Sequence, residues 1–208
     1  MSATEGAHPG LNIAHPHAQA QEETETALFG FWVFLMSDAV IFALLFATYG
    51  VMLSATVGGP TPATVYEIGP AFLETLILLT SSFTFGLASI AMKHDAPRRR
   101  ILGWMGATLV LGLAFLALEV RDFITMFAQG ATPMRSGYLS SFFALVPLHG
   151  LHVAAGCLWL MVMMAQVVVF RLDGRVRINT LRLGLFWHFL DIIWIALFSV
   201  VYLQGLIR

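Results

Sequence analysis

Five long apolar segments constrain the fold of this chain more than any other feature. They cover roughly residues 28–53, 70–92, 101–127, 138–170 and 182–206. Each is longer than the ~20 residues that an α-helix needs to cross the ~30 Å hydrocarbon core of a bilayer. They lack the period-two alternation of a membrane β-barrel. We therefore predict an all-α fold, a polytopic membrane bundle of five transmembrane helices, and its short loops predict that consecutive helices are antiparallel neighbours.

The composition agrees with a membrane protein and excludes several other classes. Of the 208 residues, 58% are hydrophobic and only 11% are charged, against about 25% charged in a soluble domain. A net charge of -1 offers no positive field for binding nucleic acid. The single cysteine, Cys157, excludes an internal disulfide and a cysteine zinc site. We predict two regions: a polar, disordered cytoplasmic tail over residues 1–27 and the five-helix domain over residues 28–208.

The distribution of the 11 Lys and Arg residues predicts the orientation in the membrane. With five crossings, the loops 93–100 and 171–182 lie on the same side as the N-terminus. That side carries eight of the basic residues and the opposite side carries three. The positive-inside rule therefore predicts a cytoplasmic N-terminus and a C-terminus on the outer face.

Ionisable side chains inside the predicted spans are costly in hydrocarbon, so each needs a structural or functional reason. Counting ~1.5 Å per residue from the cytoplasmic helix ends sorts seven of them into two layers. The predicted inner layer holds Asp38, His188 and Asp191. The predicted outer layer holds Glu74, Glu119, His149 and His152. We predict that both layers tie the helices together by hydrogen bonds, which average ~0.6 kcal/mol each inside membranes.

Sharper interpretations of the same residues stay open. Histidines on facing helices could bind haem or a metal, and carboxyl groups with histidines could form a proton relay. The histidine pair at 149 and 152 lies at a different depth from His188, which favours the structural interpretation, so we predict no catalytic, cofactor or metal site. Asp38 stands apart because its neighbours are almost all apolar. We expect it either to bond to a neighbouring helix or to serve in proton supply or lipid contact.

Two other sets of residues predict how the helices pack. Trp32, Trp104 and Trp187 lie near predicted cytoplasmic ends, where tryptophan is typical of the membrane interface. Gly112 and Gly156 belong to a set of small residues on the third and fourth spans. Small residues at these positions predict a close approach of the two helices.

Two motifs on consecutive spans carry a family resemblance: HGLHV at 149–153 and WHFLDIIW at 187–194. The first span, FGFWVFLMSDAVIFALLFATY at 29–49, carries it further. These segments resemble subunit III of the haem–copper terminal oxidases, and the similarity extends over residues 29–205. Within that family the chain is most similar to the subunit III of bo-type quinol oxidases (cytochrome o ubiquinol oxidases), which likewise has five spans.

The resemblance implies an accessory subunit of a complex that oxidises quinol, reduces O₂ to water and pumps protons at the bacterial inner membrane. It implies haems and copper in subunit I and no redox centre in this chain, with phospholipid as a bound component between helices. The expected partners are subunit I, other oxidase subunits and membrane lipid, and not nucleic acid. In the family a membrane carboxylate stands at the position of Asp38. The alternatives are subunit III of a short-form cytochrome c oxidase or of a nitric oxide reductase complex, and a proton-coupled transporter.

Overall fold

The structure is a computed structural model that describes residues 14–56, 68–170 and 172–203. Over these ranges the chain forms long helices joined by short connections. They are α1 (Ala14–Met52), α2 (Ile68–Lys93), α3 (Arg98–Ala128), α4 (Gly137–Phe170), α5 (Gly174–Leu197) and a π-helical turn (Phe198–Leu203) that continues α5. Among the described residues, five helices are long and apolar enough to cross a membrane. The predicted all-α bundle of five transmembrane helices is therefore confirmed.

Helix α1 extends well before the first apolar segment. Its apolar part begins at Leu28, but the helix begins at Ala14, so residues 14–27 are helical where the sequence predicts a disordered tail. This stretch is rich in Ala, Gln and Glu, which are good helix formers. The adjoining membrane helix supplies the nucleus that a short isolated helix lacks. Residues 1–13 of the predicted tail lie outside the described residues.

The helices pack so that α5 occupies the centre. It contacts α1, α2 and α4, while α3 lies between α2 and α4. Consecutive helices are neighbours from α2 to α5, as predicted, but the principal contacts of α1 are with α4 and α5. Helix α1 buries one residue every seven, Leu35, Phe42 and Tyr49, and turns most of its apolar surface outward. That surface is left for lipid or another subunit.

Trp187 of α5 lies at the point where α3 and α4 come closest to it. A Cβ added at Gly112 would lie 3.0 Å from its Cη2 atom, and one added at Gly156 would lie 3.2 Å from its Cζ3 atom. A Cβ added at Gly112 would also lie 2.9 Å from Sγ of Cys157 on α4, so α3 and α4 approach closely there, as predicted. The predicted interfacial position of Trp187 is wrong, since the side chain is only 1% exposed. Helix α5 begins at Gly174, earlier than expected, and this places Trp187 ~20 Å along it.

Three side-chain contacts fix α5 against α2. They join Trp187 to Ser81, His188 to Ser82 and Trp194 to Thr75, at donor–acceptor distances of 3.0, 2.6 and 3.0 Å. Residue numbers rise along α5 as they fall along α2, so the two helices are antiparallel in a single register. A further bond between Thr84 and Thr108, at 2.8 Å, joins α2 to α3. Hydroxyl, indole and imidazole groups thus connect the helices that surround the buried acids.

Candidate functional site

Asp38 of α1 and His152 of α4 form a pair near the edge of the bundle. The Oδ2 atom of Asp38 lies 3.8 Å from Nε2 of His152, and their side chains are 13% and 22% exposed. The other ring nitrogen, Nδ1, lies 2.7 Å from the carbonyl oxygen of Leu148. A carbonyl oxygen can only accept, so Nδ1 carries the hydrogen. Nε2 is therefore the ring nitrogen that faces the carboxyl group.

This pairing corrects the predicted layers. Asp38 was expected beside His188 and Asp191, but it lies beside His152, which was expected in the other layer. The physical reason is that the helices differ in length and do not end at one height. Helix α4 has 34 residues and α5 has 24, so distances counted from their ends along the axis do not measure a common depth.

His188 and Asp191 form a second pair on α5. Their i, i+3 spacing places them on one helix face, as predicted, with Nδ1 of His188 3.8 Å from Oδ2 of Asp191. The hydroxyl of Ser82 on α2 lies 2.6 Å from the same nitrogen. The Asp191 side chain is buried, while that of His188 is 52% exposed and lines an outward groove of about 350 Å³ with Gly86 and Ile90.

His149 is an aromatic member of the core rather than a hydrogen-bonded one. It is completely buried and stacks on Trp194, with ring centroids 5.3 Å apart. The edge of Phe115 meets it from α3 at 6.0 Å. Neither of its ring nitrogens has a hydrogen-bond partner. The interhelical hydrogen bond expected of His149 is therefore replaced by ring packing, which contributes about 0.5–1.5 kcal/mol beyond area burial per aromatic pair.

Glu74 of α2 and Glu119 of α3 line one cavity of about 450 Å³. Their side chains are buried, at 1% and 4% exposure, and the Oε1 atom of each has no hydrogen-bond partner. Asp122 and Arg121 line the same cavity. The predicted association of the two glutamates is thus present, although the bonds expected between Glu119 and the α4 histidines are not formed by these atoms.

Glu119 reaches α4 at a glycine instead. A Cβ added at Gly150 would lie 2.7 Å from its Oε1 atom and 2.8 Å from its Cδ atom. Real Cβ atoms essentially never approach other atoms this closely, so the carboxyl group occupies the space that a side chain at position 150 would need. The glycine of the HGLHV motif is required here for packing.

Sequence reasoning missed the hydroxyl groups of α2 that bond to α5. Thr75, Ser81 and Ser82 belong to one apolar stretch, LETLILLTSS, and hydroxyls are ordinary in membrane helices. The signal that could have identified them is their spacing. Thr75 and Ser81 lie about two helical turns apart on α2, as do the donors Trp187 and Trp194 of WHFLDIIW on the antiparallel α5. Within the described parts of the chain, no group of three or more His, Cys, Asp or Glu side chains is arranged to hold a metal ion.

Comparison with known proteins decides the family. Residues 12–206 match the family model described as cytochrome c oxidase subunit III. The chain belongs to this family. It is 45% identical to the cytochrome bo(3) ubiquinol oxidase subunit 3 of Pseudomonas aeruginosa over 193 residues, which are 93% of this chain and 92% of the relative. The subunit of the same name from Pseudomonas putida is 43% identical over 183 residues, 88% of each chain.

A relative named as a cytochrome c oxidase subunit is somewhat less similar. The cytochrome c oxidase subunit 3 of Bacillus sp. strain PS3 is 37% identical over 194 residues, 93% of each chain. Relatives of both kinds match over nearly their whole length, so the five-helix architecture does not separate them. The family resemblance predicted from HGLHV and WHFLDIIW is confirmed.

Proposed function

We propose that this chain is the accessory subunit III of a proton-pumping terminal quinol oxidase. The observation that carries the proposal is the 45% identity to a ubiquinol oxidase subunit 3 over 93% of the chain, against 37% to a cytochrome c oxidase subunit 3 over the same share. The complex would oxidise quinol, reduce O₂ to water and move protons across a bacterial inner membrane. This chain would stabilise subunit I within it.

The proposal assigns no catalytic centre to this chain. Haems and copper would lie in subunit I and supply the oxygen chemistry there. In its support, His149 packs among aromatic rings, His152 lies beside Asp38 of α1, and His188 lies beside Asp191 of its own helix. The described residues offer no cluster of metal ligands. The polar groups of this chain would hold its helices in register and shape its internal spaces.

The outward faces and the loops support the proposed partners and orientation. Large apolar side chains such as Phe29, Leu44 and Val51 are exposed along α1 and would meet lipid or subunit I. The segments 93–100 and 171–182, which include the first residues of α3 and α5, carry eight of the 11 basic residues. By the positive-inside rule these loops and the N-terminus would face the cytoplasm, and the C-terminus the periplasm.

A purification experiment tests the proposal. The complex would be isolated from its native membrane through a tag on this chain, and O₂ consumption would be compared with ubiquinol and with reduced cytochrome c as donor. We expect haem absorption in the complex, none in the separated chain, and turnover with ubiquinol. Turnover with cytochrome c alone would identify the short-form cytochrome c oxidase instead, and reduction of nitric oxide would identify a nitric oxide reductase complex. Haem retained by the separated chain would refute the accessory role.

A further inference from the structure

The buried carboxyl groups of Glu74 and Glu119 lack the partners that such groups need. The Oε1 atom of each is buried and has no hydrogen-bond partner among the described residues, and both glutamates line the same cavity. A buried ionised carboxylate is costly unless it is paired, hydrated or neutralised by a proton. The described part of the chain does not supply these partners, so water or a proton is needed to satisfy the pair.

The cavity is large enough for water and extends to the end of the bundle. Its volume is about 450 Å³, and a liquid water molecule takes ~30 Å³, so several fit. Its lining runs from Gly69 and Gln129, at the ends of α2 and α3, to the two buried acids. Counting ~1.5 Å per residue, the acids lie ~10–15 Å along their helices from that end. Among the described residues, one cavity therefore connects this end of the bundle with both carboxyl groups.

The charges around the pair favour a positive occupant. The ionisable groups that lie around it are Arg121 and Asp122 of α3, Tyr202 of the π-helical turn and His149 of α4, next to Gly150. Glu74 and Glu119 line the same cavity, so a negative charge on one carboxyl group disfavours a second on the other. Two carboxyl groups that share a site cannot both ionise without strong repulsion, and one proton between them relieves it.

We propose that this cavity is a hydrated proton-binding site, in which Glu74 and Glu119 hold one proton between them. The site is distinct from the pair formed by Asp38 and His152, which lies on the other side of α4 between α1 and α4. It belongs to the end of the bundle that carries the loop after α3 and the C-terminal turn. The inference does not depend on which electron donor the complex uses.

Infrared difference spectroscopy on the intact complex tests the proton. The spectrum of the wild-type complex minus that of the Glu74→Gln/Glu119→Gln variant should contain one protonated-carboxyl band and one carboxylate band, and the protonated band should shift soon after transfer to D₂O. Carboxylate bands alone, or two protonated bands, would overturn the shared proton. Loss of the protonated band when sodium replaces choline in the buffer would identify a metal cation as the occupant and overturn the proposal. Should the glutamine variants not assemble, Glu74→Asp and Glu119→Asp keep the carboxyl groups and should shift the protonated band.

Radiolytic labelling in ¹⁸O water tests the hydration on the wild-type complex. Phe142 lines the cavity and is 1% exposed, and Phe115 is equally buried in the core at 0% exposure. Hydroxyl radicals form at bound water, so we expect ¹⁸O on Phe142 and none on Phe115. Equal absence of label from both residues would overturn the hydrated site.

Discussion

The contact between Glu119 and Gly150 allows a sharp test of the packing. In Gly150→Ala the new Cβ would lie 2.7 Å from Oε1 and 2.8 Å from Cδ of Glu119, well inside the ~3.5 Å at which atoms pack best. Because all three atoms of the carboxyl group are too close, the whole group must move by ~0.7 Å or more away from α4. Overpacking costs about 1–3 kcal/mol, and the lower end applies here because the carboxyl group ends a flexible side chain and lies beside a cavity. We expect the free energy of unfolding to fall by that amount.

A double-mutant cycle assigns the cost to this one contact. In the Glu119→Ala background the space is free, so the same Gly150→Ala change should cost nothing or stabilise by up to ~1 kcal/mol, the difference in helix propensity between Gly and Ala. Unfolding would be followed by tryptophan fluorescence in mixed micelles of a mild detergent and dodecyl sulfate. Gly103→Ala on α3 is the matched control, because nothing lies within 4 Å of the added Cβ. Additive effects of the two changes, or an equal loss in the control, would refute the reasoning.

Three further outcomes follow from the polar contacts. Asp38→Asn should leave turnover of the assembled oxidase within a few-fold, measured as O₂ consumption, because the proposed function places the redox chemistry in subunit I. Complete loss of turnover in a fully assembled complex would contradict this. His152→Leu removes the imidazole that faces Asp38 and should lower the free energy of unfolding by about 1–3 kcal/mol. Adding Asp38→Leu to the same chain should partly restore it, and a further loss in the double variant would show that the two side chains are not coupled. Trp194→Phe removes the indole donor to Thr75 and should lower the free energy of unfolding by ~0.6–1.7 kcal/mol. Adding Thr75→Val should lower it little further, and a second loss of equal size in the thermal unfolding of the complex would count against the bond.

The helices and the family could be predicted from the sequence because both depend on local signals. Apolar runs of sufficient length predict membrane helices whatever their neighbours are, and HGLHV and WHFLDIIW are short, specific patterns. The relative heights of the helices could not be predicted in this way. Some apolar stretches are longer than a membrane crossing needs, and polar residues such as those before Leu28 belong to the same helix as the apolar ones. The ends of the helices therefore do not mark a common depth in the membrane. For this reason the sequence predicts His188 and Asp191 as neighbours of Asp38, whereas the structure pairs it with His152.

The partners of the buried polar groups depend on helix rotation, which the sequence alone does not provide. The neutral donors Trp187 and Trp194 bind hydroxyl groups of α2, and such bonds cost little desolvation, so they can lie in the driest part of the bundle and fix its register. Ionisable groups have a larger desolvation cost and need water, a proton or a charged partner. Accordingly, Asp38 lies beside an imidazole at the partly exposed edge, and Glu74 lines a cavity that reaches the bundle end. The indole and hydroxyl groups therefore hold the helices together, while Asp38 and Glu74 lie where an imidazole or a cavity is beside them.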